Sequence, residues 1–300
     1  MFDKIIAFLM SVVTFFASLL GIGMKKGDAV MYTDISYGLH ERQKLDLYLP
    51  TDCGDDMGLV LYIHGGAWIG GDKEIYYSTL EQMAEKYGVA CAAVNYRYIS
   101  EDVNLLDIMD DIDAAMKCIK KKGKMHGIDI NRSILTGGSA GGHLSLLYAY
   151  SRVEGSAIPP VAVMSDCGPT DLSDDYYYYN EDLGKGNGLG GDEVISQLIS
   201  WGTGVEMTRE TRADYLKEIA EVSPLTYANK NSVPTIINHG MVDDIVPFRN
   251  AVALEAKLTE LGVEHVFNVY PNSGHGLDRD PDSTARAQEL FGEYIEKYVK

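Results

Sequence analysis

Residues Ser133-Ile134-Leu135-Thr136-Gly137-Gly138-Ser139-Ala140-Gly141-Gly142-His143 decide how the chain is read. A short apolar run ends in Gly137-x-Ser139-x-Gly141, and a helical pattern follows from Ala140 to about Tyr150. A strand that enters a helix through so sharp a turn tolerates little but glycine beside the turning residue. The serine is then held up at the carboxyl end of the strand, the nucleophile-elbow pattern. The helix start behind it supplies free N–H groups and positive partial charge. The bland alternative is a glycine-rich helix start with no chemistry attached.

The segments on either side give the fold class. Lys44–Leu49 alternates with period two, as a half-buried strand does. Gly58–Ile63 and Val89–Val94 are continuous apolar runs, as in strands buried on both faces. Ile75–Tyr87 and Leu105–Lys122 carry helical spacing, and Val161–Met164, Pro234–Asn238 and His265–Val269 read as further strands. Ala251–Leu261 and Thr284–Val299 read as helices. Strands alternating with helices predict an α/β fold, a mostly parallel sheet covered on both faces. The alternation breaks from Asp166 to about Tyr227, a polar, Gly-rich and Tyr-rich insertion with helical patterns near Asp192–Ser200 and Arg209–Ala220. An excursion of that length is read as a lid or cap.

Composition narrows the function. The chain has 300 residues, 46% hydrophobic and 23% charged, which excludes wholesale disorder. Its net charge of −18 repels phosphate, so nucleic acid is not expected as a partner. Four cysteines, Cys53, Cys91, Cys118 and Cys167, form no metal-binding spacing, so no metal and no disulfide framework is expected. Residues 5–22 form an uncharged apolar run, near the lower limit for spanning a bilayer. Residues 1–26 are therefore read as an anchor or signal segment, with a buried or docking helix as the alternative. That favours a membrane-anchored or secreted protein with membrane contact through residues 5–22. Residues 27–300 form the main domain. The sequence carries no signal for an oligomeric state.

Three more motifs carry chemistry. His64-Gly65-Gly66-Ala67-Trp68 follows the strand Gly58–Ile63. Glycines there let backbone N–H groups turn toward a developing oxyanion, so Gly65 and Gly66, with Ala140, are the expected donors. His64 is read as shaping the loop. His239-Gly240-Met241-Val242-Asp243-Asp244 follows Pro234–Asn238 and offers two carboxylates to orient an imidazole, of which only one can serve. His239 itself is read as a strand-end histidine. Asn272-Ser273-Gly274-His275-Gly276 places an imidazole in a short loop, where a general base could reach the serine. His265 begins a strand and is read as structural, and His40, His126 and His143 as surface or supporting residues.

Ser139, an aspartate and His275 occur in the Ser…Asp…His order of the α/β-hydrolases. Over about residues 30–300 the chain resembles α/β-hydrolase esterases of the HGG(G/A)W type. It is similar to hormone-sensitive-lipase-like carboxylesterases and more closely to bacterial acetylxylan and feruloyl-esterase-like enzymes. Asn95-Tyr96-Arg97, the Asp107…Asp111 helix, Ser223-Pro224-Leu225 and the HGxxDxxVP run at 239–247 echo the same pattern. The Tyr-rich insertion and the apolar N-terminus depart from it. In that run the family's acid falls on Asp243. The resemblance implies a catalytic set of Ser139, Asp243 and His275, a small-molecule ester substrate, an acyl-enzyme, and no cofactor. Trp68, Asp166, Cys167 and the insertion at 170–205 are expected around the substrate pocket, for small acyl groups including acetyl esters of carbohydrate. Tyr176–Tyr179 either stack on a sugar or aromatic ring or pack the lid. An amide-cleaving relative, a membrane-docked lipase and a noncatalytic binding module are the competing readings.

Overall fold

The computed structural model describes residues 29–50, 54–183 and 191–300. The apolar run at 5–22 lies outside the described residues. Eight strands form one sheet: β1 (Ala29–Ser36), β2 (Lys44–Pro50), β3 (Asp56–Ile63), β4 (Ala90–Val94), β5 (Asp129–Gly138), β6 (Pro160–Asp166), β7 (Thr235–Gly240) and β8 (His265–Tyr270). Their order is β1-β2-β4-β3-β5-β6-β7-β8. The β1–β2 and β2–β4 pairs are antiparallel, and the remaining pairs are parallel.

Side-chain alternation sorts the sheet into two faces. Leu45, Leu47, Leu59, Leu61, Leu135, Val163 and Ile237 share one core with α2 (Leu105–Met125), α3 (Ala140–Ser151) and α8 (Phe248–Leu261). Val60, Tyr62, Ile134, Ala162, Met164 and Ile236 share the other with α1 (Tyr77–Tyr87) and α9 (Pro281–Tyr298). The central helix α3 is apolar all round and almost wholly buried, because strands, α2 and the insertion surround it. Asn104 caps α2, accepting from the N–H groups of Leu106 and Asp107 while Asp107 accepts from its own.

The insertion folds as short helices: α4 (Tyr176–Tyr179), α5 (Asp192–Thr203), α6 (Leu216–Glu221) and α7 (Pro224–Tyr227). The helical pattern read at Arg209–Ala220 is a 3₁₀ turn at Arg212–Tyr215 followed by α6. Of the four tyrosines, Tyr177 and Tyr178 are buried and pack the cap, while Tyr179 is exposed. Among the described residues no helix is long and apolar enough to cross a membrane.

Candidate active site

Ser139 sits between β5 and α3 with φ 55° and ψ −123°, a backbone region that costs an L-residue about 1–3 kcal/mol. The surrounding packing enforces the turn. A Cβ on Gly137 or Gly141 would lie 2.2 or 2.0 Å from the carbonyl oxygen of Ile63. The Ser139 N–H donates to the Asp166 carbonyl at 2.7 Å, which ties the elbow to the neighbouring strand. Ala140 opens α3, so its N–H has no intrahelical acceptor.

The glycine loop after β3 lies against this elbow. A Cβ on Gly65 would meet the Gly138 carbonyl at 2.7 Å and the Ser139 Cβ at 3.5 Å. Gly66 adopts φ 118°, and Ala67 and Trp68 also take positive φ, so the whole turn is held against its local preference. What holds it is a buried brace. His64 hydrogen-bonds through Nδ1 to the Gly65 carbonyl at 2.8 Å and through Nε2 to Arg42 at 3.2 Å. It stacks on Tyr96, whose hydroxyl donates to the His64 carbonyl. Burial drives the His64 pKa down to about 4, so the ring is a neutral structural element. Asn95 accepts from the Lys73 N–H and donates to Asp72, and Arg97 pairs with buried Asp111. The Asn95-Tyr96-Arg97 motif thus anchors the loop that presents Gly65 and Gly66.

Asp243 follows β7, and the structure brings it, not exposed Asp244, to His275. Asp243 Oδ1 accepts from the N–H groups of Ile245 and Val246, and Oδ2 accepts from His275 Nδ1 at 2.8 Å. Burial opposes the charge on Asp243, but the His275 and His239 imidazoles hold its carboxyl well below the usual range. Burial likewise opposes protonation of His275, yet the facing Asp243 and the nearby Asp244 lift its pKa above the ordinary histidine value. The loop that carries His275 is pinned by Asp280, which accepts from the Ser273 hydroxyl at 2.6 Å and from the Asn272 N–H.

Ser139 and His275 line one cavity. Trp68 and Ala67 form one wall, Ile245 and Val246 another, and Leu172, Tyr177, Ile195 and Ile199 of the insertion roof it. Trp68 is fixed by buried His143, whose Nδ1 accepts from the indole N–H at 3.2 Å and whose Nε2 hydrogen-bonds the Val222 carbonyl. Burial lowers the His143 pKa to about 4, which keeps Nδ1 free to accept. Asp166 and Cys167, expected around this pocket, do not line it. Strand alternation puts Asp166 on the same face as Met164, toward α1 and α9. Cys167 turns at φ 50° and is fully buried beside Asp243.

Two supporting side chains escaped the sequence reading of this corner. His239 Nε2 lies 2.9 Å from the Val246 carbonyl and 3.3 Å from Asp243 Oδ2, and the Cys167 thiol lies within 4.8 Å of both. The four-residue spacing from His239 to Asp243 was the available signal. Ligand atoms of Cys167, His239 and Asp243 lie within 4.8 Å of one another. They make a poor metal set. The Val246 carbonyl requires a proton on His239 Nε2, and burial and the Asp243 charge keep Cys167 a thiol.

The sheet order, the elbow and the Asp–His pair define an α/β-hydrolase. Within that class, the model of the BD-FAE family matches residues 45–258, and the chain belongs to that family. The esterase LipQ of Mycobacterium tuberculosis is 26% identical over 255 residues, covering 83% of this chain and 58% of its own length. The chain thus spans less than two thirds of that relative. A truncated carbohydrate esterase from gut microbiota superposes with a TM-score of 0.67 at 21% identity, over 91% of this chain and 99% of the other. Esterase B from Lactobacillus Rhamnosis gives a TM-score of 0.67 at 20% identity, over 98% of this chain and 96% of that one.

Proposed function

We propose that this protein is a serine carboxylesterase acting on small acyl esters through an acyl-enzyme. The observation that carries this is the strained Ser139 sharing an apolar cavity with His275, whose other face is held by buried, ionised Asp243. In this reading Ser139 Oγ attacks the ester carbonyl while His275 takes the hydroxyl proton. The oxyanion is held by the N–H groups of Gly65, Gly66 and Ala140. His275 then passes the proton to the departing alcohol as the C–O bond breaks. Water, deprotonated by His275, attacks the acyl-enzyme, and His275 returns that proton to Ser139 Oγ as the acyl C–Oγ bond breaks, releasing the acid and free Ser139. Asp243 stays ionised and stabilises the imidazolium at both steps. The roof of Leu172, Tyr177, Ile195 and Ile199 supports short acyl groups, acetyl esters of carbohydrate among them, over long lipid chains.

Hydrolysis of p-nitrophenyl acetate, butyrate, octanoate and palmitate by the full chain tests this reading. Turnover should be fastest on the two short esters and vanish in Ser139→Ala. A preference for palmitate would make the protein a membrane-docked lipase, and inactivity on every ester would leave amide substrates or a binding role. The apolar run at 5–22 supports a membrane-anchored or secreted placement. Flotation of the full chain with lipid vesicles, absent in a chain lacking residues 1–26, is the matching test.

A further inference from the structure

A second crevice lies on the face of the sheet that carries α1 and α9, behind the elbow. The backbone of Gly137 and Gly138 borders it, as does Leu277, two residues past His275. Four aromatic rings, Tyr62, Tyr76, Tyr270 and Phe291, wall it. Tyr62 and Tyr76 lie 4.9 Å apart, and Phe291 meets Tyr62 edge-on at 6.4 Å. The carboxyl of Asp166 opens among these rings. Its Oδ1 accepts from Asn238 Nδ2 at 2.7 Å, and no lysine, arginine or histidine is among the lining residues. Tyr62 and Thr79 line it too, and their hydroxyls are buried without a hydrogen-bond partner, in residues only 4% and 1% exposed.

We propose that this crevice binds a small organic ammonium ion, its apolar body between the rings and its charged nitrogen at Asp166. Aromatic faces carry negative potential that attracts a cation, most strongly where water is excluded. A primary ammonium adds three N–H donors, enough for the Asp166 carboxylate and the lone pairs of the orphan hydroxyls. An anion would be repelled by Asp166, and a neutral alcohol would leave its carboxylate without a counter-charge. Burial already raises the Asp166 pKa to about 6, the penalty an enclosed cation would relieve. The net charge of −18 also concentrates cations around the molecule. This inference stands apart from the esterase reading, since none of its residues is Ser139, Asp243 or His275.

Calorimetric titration and thermal melts of the full chain test it, with benzylammonium, benzyl alcohol and benzoate as probes of one shape and three charges, at neutral pH. Benzylammonium should bind at one saturable site and raise Tm. Benzyl alcohol should bind roughly tenfold or more weakly, and benzoate not at all. Asp166→Asn should weaken benzylammonium by roughly tenfold or more. Ala287→Phe, which fills the crevice from α9 and leaves Asp166 in place, should abolish binding with the fold retained by circular dichroism. Equal affinity for the alcohol, binding that survives Ala287→Phe, or no binding of benzylammonium would each overturn the proposal. The alcohol comparison and Ala287→Phe decide it even if Asp166→Asn fails to fold.

Discussion

His275 Nδ1 lies 2.8 Å from Asp243 Oδ2, and both side chains are buried. The carboxylate therefore fixes the imidazole's tautomer with the proton on Nδ1, which leaves Nε2 free to serve as the base of the proposed reaction. It also favours the protonated ring, so the base is neutral only above a pKa raised from the ordinary 6.5. The sign follows directly: kcat/KM should fall as pH drops through that raised pKa. Asp243→Asn removes the lifting charge, so the acidic limb should move to lower pH while the rate falls on the order of 10⁴. A pH–rate profile of both proteins reads this. An acidic limb that stays in place in the variant would show that Asp243 does not set it.

The elbow holds Ser139 in a strained backbone conformation. At φ 55° and ψ −123°, glycine sits more comfortably than serine. Ser139→Gly should lower kcat on the order of 10⁶, as nucleophile removal does in another serine hydrolase. The same change should raise unfolding free energy by about 1 kcal/mol, part of the strain a non-glycine residue bears there. Urea titration of both proteins checks the second half. A destabilised variant would mean that contacts of the Ser139 side chain outweigh the strain.

Gly65 has no room for a side chain, because a Cβ would meet the Gly138 carbonyl at 2.7 Å, beside the nucleophile. Gly65→Ala must push the loop and elbow apart and swing an N–H away from the oxyanion. Loss of one such donor costs on the order of 10²–10³ in kcat. Steady-state kinetics should show that loss in kcat with KM little altered. A change confined to KM would point instead to a blocked substrate channel.

The parallel core of the sheet was legible because β3, β4, β6, β7 and the end of β5 carry apolar runs between helical patterns, but the strand order, with β4 ahead of β3, was not readable from that alternation. Nor was the first strand. β1 is an edge strand whose Val30, Thr33 and Asp34 face solvent, so no apolar run marks it. At the site, motif order named serine and histidine, and the resemblance over the HGxxDxxVP run put the acid on Asp243; the physical reason, a turn after β7 that folds Asp243 rather than Asp244 onto His275, is visible only in the structure. Asp166 shows the opposite case. It pairs with Gly138 across the sheet, yet one-residue parity turns its side chain to the other face. Parity is readable only once the strand's register is known. His239 was hidden because a strand-end histidine and one that supports an acid look alike until Asp243 folds back on it.

In the proposed reaction the insertion roofs the acyl site, and Tyr177 is the residue that tests this. The ring is 3% exposed and lines the cavity with Ser139, and its hydroxyl lies 3.4 Å from Asn250 Oδ1. Asn250 Oδ1 in turn accepts from the N–H groups of Thr170 and Asp171, so the roof is tied to α8 rather than free to swing. Tyr177→Phe leaves the volume unchanged and removes one long hydrogen bond, so selectivity should stay as it is. Tyr177→Ala opens the roof beside the apolar wall of Ile195 and Ile199, at a stability cost of about 3–5 kcal/mol for a buried aromatic. The ratio of octanoate to acetate turnover should then rise roughly tenfold, since each newly buried methylene contributes about 0.8 kcal/mol. An unchanged ratio in the folded variant would place the acyl chain away from Tyr177, along Trp68 instead.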